Sequence, residues 1–141
     1  MNVFLDSSVL LAACGSASGA SRAVFEVAAT QSWNLLSSDY VFAEVEANLA
    51  ALPGGGPDNR VRIRTNLEKV PDVLTFPWSA VFAPARDRPV LFTASAWAEV
   101  LLTLDRRDFL DLLGTSFYGL DILKPGHFLQ RERNAGRLNC D

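Results

Sequence analysis

Asn2-Val-Phe-Leu5, closed by Asp6-Ser7-Ser8, is the stretch on which the fold turns. The apolar run without polar alternation reads as a short buried strand. Ser7 and Ser8 are helix-start residues, and Val9, Leu10, Ala12 and Ala13 continue in helical style. After a turn from Gly15 to Gly19, Ala20 to Thr30 reads as a second helix, with Ala23, Val24, Val27 and Ala28 on one face. Trp33 to Leu36 is a second strand, and Ser37-Ser38-Asp39 starts another helix with an acid in its first turn. Along that helix Val41, Phe42, Val45, Leu49 and Leu52 form an amphipathic stripe.

Pro53-Gly-Gly-Gly-Pro57 breaks the stripe and reads as an interhelix loop, too short to separate two domains. Beyond it the pattern predicts a polar helix over Asn59 to Lys69 and a third strand over Val73 to Phe76. Phe76 to Arg86, with Pro77 and Pro84, reads as irregular. A helix is expected over Arg88 to Ala98, an apolar strand over Val100 to Leu104, and a short helix over Phe109 to Leu113. Leu120 to Leu123 is the last strand, and the tail from Pro125 to Arg133 closes with a helical turn or two. Strands alternating with helices imply an α/β fold whose mostly parallel sheet is covered on both faces. The 141 residues, 49% of them hydrophobic, suit a single domain over residues 1–141.

Composition removes several chemistries. One histidine, His127, leaves almost nothing for a Ser-His-Asp triad or a His-ligated zinc site. Cys14 and Cys140 lack metal spacing and read as reduced thiols. Leu11-Ala12-Ala13-Cys14 looks like a lipoprotein cleavage box, but no Lys or Arg precedes Arg22 and Asp6 interrupts the apolar run. No stretch approaches a membrane span. The expectation is a cytoplasmic protein with no membrane partner. A net charge of −3 offers no bulk attraction for nucleic acid, so phosphate contacts would come from a local patch. Eleven of the 13 basic residues are Arg, whose fork suits such contacts.

In a parallel α/β sheet, ligands gather outside the carboxyl ends of the strands. Asp6 ends the first strand there and Asp105 ends the Val100–Leu104 strand, while Asp87 opens the helix before it. Each of the three precedes a predicted helix, where Asp is also a good N-cap. Glu44 and Glu46 fall roughly 100° to either side of the apolar stripe on the third helix, so only one leans toward the strand ends. Helical phase leaves open which. Several carboxylates at one rim repel unless a cation sits among them. An all-oxygen donor set favours Mg²⁺ or Mn²⁺, which activate water and polarise phosphoryl oxygens.

In this order the residues resemble the PIN-domain nucleases, whose members include VapC-type toxins. Val3-Phe-Leu-Asp-Ser-Ser-Val-Leu10 is similar to the family's first strand and acid, Asp6. Ser38-Asp-Tyr-Val-Phe-Ala-Glu-Val-Glu-Ala-Asn-Leu49 is similar to its second motif, whose register selects Glu44. Asp87-Arg-Pro-Val-Leu91 looks like the helix with the third acid. Val100-Leu-Leu-Thr-Leu-Asp-Arg-Arg-Asp-Phe109 resembles the last motif, with Thr103 accessory and Asp105 the acid. Gly119-Leu-Asp-Ile-Leu-Lys-Pro-Gly-His-Phe-Leu129 fits the closing strand and proline turn. Trp97 departs from the pattern, standing where a small residue is usual. The segment from Pro77 to Arg86 follows no family motif.

The resemblance implies a three-layer α/β/α fold and an Mg²⁺- or Mn²⁺-dependent endoribonuclease. Asp6, Glu44, Asp87 and Asp105 would be its metal-holding and catalytic acids, with Thr103 in support. It also implies an RNA substrate and, for a toxin, a small antitoxin partner, with a homodimer left open. Arg86, Arg88, Arg106 and Arg107 flank the acids and are the candidates for RNA contact, against ordinary surface ion pairing. Two other readings compete. One is a non-catalytic PIN-like module that binds RNA or protein. The other is a phospho-acceptor receiver domain, for which Lys124-Pro125 speaks; the lone Asp6 and the lack of an acceptor Asp at the end of Val73–Phe76 speak against it.

Overall fold

The computed structural model describes residues 1–16, 18–49, 66–74, 88–109 and 112–138. Strand β1 (Asn2–Leu5) runs into helix α1 (Ser7–Gly15), followed by α2 (Ala20–Gln31), β2 (Asn34–Ser37) and α3 (Asp39–Leu49). After β3 (Glu68–Lys69) come α4 (Arg88–Trp97), β4 (Val100–Leu102) and a single-turn α5 (Arg106–Phe109). The chain then forms β5 (Thr115–Phe117), β6 (Leu120–Leu123) and α6 (Pro125–Asn134). The six strands make one sheet in the order β3-β2-β1-β4-β6-β5. All neighbours are parallel except β5, which pairs antiparallel with β6.

Burial of consecutive strand residues explains the layering. Val3, Phe4 and Leu5 of β1 are all buried, as are Val100, Leu101 and Leu102 of β4. Successive strand side chains point to opposite faces, so both faces of the central strands must be covered. The expected three-layer α/β/α arrangement is therefore the observed one. Helix α1 packs against both α2 and α3, and α2 against α6. The α1–α3 contact brings the start of α1 beside the middle of α3, which joins two of the candidate acids.

Several expected elements shift. Glu68–Lys69 forms an edge strand where the polar pattern predicted the end of a helix; residues 59–65 lie outside the described residues, as does the loop at 53–57. Val73 and Leu74 are not in a strand, and 75–76 lie outside the described residues. The third strand therefore comes earlier and is shorter and more polar than the apolar run suggested. Strand β4 stops at Leu102, and the Thr103 hydroxyl beyond it bonds to Asp6. The short helix comes at Arg106–Phe109 rather than Phe109–Leu113, directly after the Asp105 turn. The tail is a full ten-residue helix.

Helix α6 is tied down by a buried carboxylate. Glu132 is fully buried and accepts hydrogen bonds from Arg137, the Nη2 one at 3.2 Å. Arg131 links the same helix to β6 through Asp121, at 2.8 Å. The Arg137 guanidinium holds the Glu132 carboxyl below its usual range, with Arg131 adding to the effect. A depressed carboxyl contributes stability above its ordinary value, 4.5, and loses it as pH falls through the lowered one. Glu132→Gln should therefore destabilise the protein by about 1–2 kcal/mol at pH 7, a modest cost because Arg137 is exposed and screened. The gap between variant and wild type should narrow in acid. Equal melting temperatures at pH 7 would show that the clasp contributes nothing.

Candidate functional site

The sheet order creates a crevice at a defined place. From β1 the chain goes to β2 and β3 on one side, then crosses to β4 on the other side of β1. The carboxyl ends of β1 and β4 therefore flank the switch point where open α/β sheets bind ligands. The ladder also runs one residue past the strands. Asp6 N–H donates to Leu102 O at 3.0 Å, Thr103 N–H to Leu123 O at 3.0 Å, and Val70 N–H to Ser37 O at 2.9 Å. Ser38, Asp6, Thr103 and Lys124 thus stand abreast along one edge. This order differs from the 2-1-3-4-5 order of receiver-type sheets, which weakens that reading.

Asp6 is 3% exposed and both of its carboxylate oxygens accept hydrogen bonds. One oxygen accepts Ser7 N–H at 2.8 Å, which makes Asp6 the N-cap of α1. The other accepts the Thr103 hydroxyl at 2.7 Å and the Ser8 hydroxyl at 3.0 Å. Those hydroxyls are themselves acceptors: Thr103 Oγ1 from Asp105 N–H at 3.0 Å, Ser8 Oγ from Leu104 N–H at 2.9 Å. A hydroxyl has one proton to give. With lone pairs taken by backbone N–H groups, both protons go to Asp6.

Glu44 lies on α3, half-buried, and its Oε2 accepts the Ser7 hydroxyl at 2.7 Å. Ser7 therefore joins the two acids, its N–H on Asp6 and its O–H on Glu44. Glu46 is exposed on the other flank of the helix. The Asp6 carboxyl is raised above its ordinary value, chiefly by burial, with the Glu44 charge adding to it; the bonds from Thr103, Ser7 and Ser8 pull the other way.

The remaining candidates divide. Asp105 is half-buried just before α5, and its backbone is held by Thr103. Asp87 and Arg86 lie outside the described residues, as do the side chains of Arg88 and Arg107. Arg106 is exposed and lines a cavity with Leu113, Gly114, Lys124 and His127. Among the described residues no group of three or more Asp, Glu, His or Cys side chains converges at metal-binding distance. Asp6 and Glu44 are the acids that the described residues bring together. Their donor set is all oxygen and Ser7 bridges them, which is donor chemistry that fits a hard divalent cation. Residue-type reasoning missed the bridging of Ser7 and Ser8, whose helix-start role hid it. His127, the one histidine, is exposed at that cavity.

Among the described residues no single helix is long and apolar enough to cross a membrane. No family model matches the chain, and no curated protein matches its sequence. Its fold is that of a chain in the crystal structure of VapBC2 from Rickettsia felis bound to a DNA fragment from their promoter. The two align with a TM-score of 0.60 at 14% identity, over 86% of this chain and 97% of that one. At that identity the likeness establishes the fold.

Asp6→Asn tests whether the site is strained by its own charge. Asn retains an oxygen for the cap. A raised carboxyl binds its proton more tightly in the folded state, so its contribution to stability is present below the ordinary value of 3.8 and lost as pH rises. In EDTA at pH 7 the variant should melt at or above wild type, and the difference should close as pH falls toward about 4. A variant that melts well below wild type at every pH would make Asp6 a structural cap alone.

Proposed function

We propose that the chain is a cytoplasmic PIN-type endoribonuclease that depends on Mg²⁺ or Mn²⁺ and acts as the toxin of a toxin–antitoxin pair. The observation that carries this reading is the Asp6–Ser7–Glu44 linkage at the switch point of the sheet. The four ordered acidic motifs of the sequence support it, as does the likeness in fold to a chain of a VapBC complex. VapC-type toxins are among the proteins the sequence resembles, and the likeness in fold to a chain of a VapBC complex favours a small protein partner for this chain as well.

Asp6 and Glu44 would hold the cation, joined by Asp105 after β4 and by Asp87, the residue that precedes α4 in sequence. A bound Mg²⁺ or Mn²⁺ would activate a water for attack and neutralise charge on the phosphoryl oxygens. The chain's own work is positional. Thr103 and Ser8 hold the Asp6 carboxylate in place, and Ser7 orients Glu44, so the two acids would meet a cation with little reorganisation. Hydrolysis by in-line attack then needs little further acid–base help.

The purified protein should cleave RNA with Mg²⁺ or Mn²⁺ and stop in EDTA. Glu44→Gln should abolish cleavage, while Glu46→Gln leaves it near normal. Cleavage that persists in EDTA through repurification would sink the metal-dependent reading. No cleavage of any RNA with either metal would favour a non-catalytic RNA- or protein-binding module.

A further inference from the structure

A second feature of the same edge carries chemistry that the acid cluster does not use. A cavity of about 220 Å³ is lined by Arg106, Lys124 and His127, with Leu113 and Gly114 completing the wall. Lys124 follows β6 directly, one strand over from Thr103 and two from Asp6, which places it roughly 10 Å along the rim from Asp6. Arg106 follows Asp105 directly, and His127 sits in the first turn of α6. The ion pairs among the described residues engage Lys69, Arg131 and Arg137; none engages Arg106, Lys124 or His127. Two fixed cations and an imidazole therefore face one concavity with their donors uncommitted.

The backbone adds to the same field. Lys124 is the N-cap of α6, but no side chain caps the helix, and Pro125 at its start has no N–H to offer. The N–H groups of Gly126 and His127 belong to the open first turn, where the helix dipole favours an anion. At Gly114 an added Cβ would meet nothing within 4 Å, so that wall leaves room for a ligand. A fork, a point charge and a ring donor around a small open pocket suit a phosphate group.

We propose that this cavity seats a phosphate of the RNA strand next to the bond presented to Asp6 and Glu44. The identity of the strand rests on the nuclease reading; the anion site does not. Arg106 and Lys124 take the phosphate oxygens, and His127 closes the pocket. Holding a neighbouring phosphate here fixes the strand's register across the acid rim.

The test is binding of a labelled single-stranded RNA in EDTA, followed by anisotropy over a salt series. Arg106→Gln, Lys124→Gln and His127→Gln are compared with wild type and with Arg133→Gln, an exposed α6 residue outside the cavity. Arg106→Gln and Lys124→Gln should each weaken binding about 3- to 10-fold and lower the salt slope by up to ~0.7. His127→Gln should weaken it less, and Arg133→Gln should match wild type. Unchanged affinity and slope in both Arg106→Gln and Lys124→Gln would overturn the proposal, as would wild type that binds no RNA. Inorganic phosphate distinguishes the source. If it binds wild type tightly and the same variants lose it while RNA binding is intact, the pocket belongs to a free anion and the RNA assignment fails. Wild type that binds RNA through these residues but does not cleave it with Mn²⁺ retains the pocket and overturns the nuclease reading instead.

Discussion

The buried carboxylate of Asp6 is the constraint around which the carboxyl edge of the sheet is arranged. A charge with 3% exposure is expensive unless hydrogen bonds replace its water. Here the replacements come from Ser7 N–H, Thr103 and Ser8, and the two hydroxyls are also the acceptors for Asp105 and Leu104 N–H. One network thereby satisfies a carboxylate and two backbone donors at the ends of β1 and β4. The turn after β4 cannot shift without leaving polar groups unpaired. That coupling positions Asp105 as well as Asp6, although only Asp6 is deeply buried.

The elements that were legible in the sequence are the ones whose signal is packing. β1, β2, β4 and β6 are apolar runs, and α3 carries a stripe at helical period, so burial and pattern agree. β3 was not legible, because Glu68–Lys69 is a two-residue, exposed, charged edge strand; charge at an edge is what keeps it from pairing further. β5 was missed for a related reason. It joins β6 through Tyr118-Gly119, both with positive φ (48° and 86°), the geometry of a two-residue hairpin turn. Asn-Gly would have announced that turn, and Tyr-Gly conceals it.

The candidate site was half legible. Acids at strand ends are visible from order alone, and the family resemblance picked Glu44. Helical phase could not, since Glu44 and Glu46 lie symmetrically about the stripe. What decides the geometry is the packing of α1 on α3, a tertiary contact that brings Ser7 to Glu44. Asp87 lies outside the described residues, so its place beside the other acids is an expectation of the resemblance. Of the cation-lined pocket only Arg106 stood out in the sequence as a candidate for RNA contact; Lys124 and His127 join it because β4, β6 and the start of α6 meet at the same edge.

Acids just past β1 and on α3, with Arg106 in α5 and Lys124 just past β6, give the rim both the cation-binding and the anion-binding groups that a phosphodiester strand needs. The nuclease reading of this edge requires that Asp6 and Glu44 form part of a divalent-cation site. The most direct test is a Mn²⁺ titration of wild type and Asp6→Asn followed by electron paramagnetic resonance. Folded wild type should remove Mn²⁺ from the free-ion signal, and Asp6→Asn should weaken this by at least about tenfold. Wild type that leaves the free signal untouched, or a variant that binds as well as wild type, would contradict it.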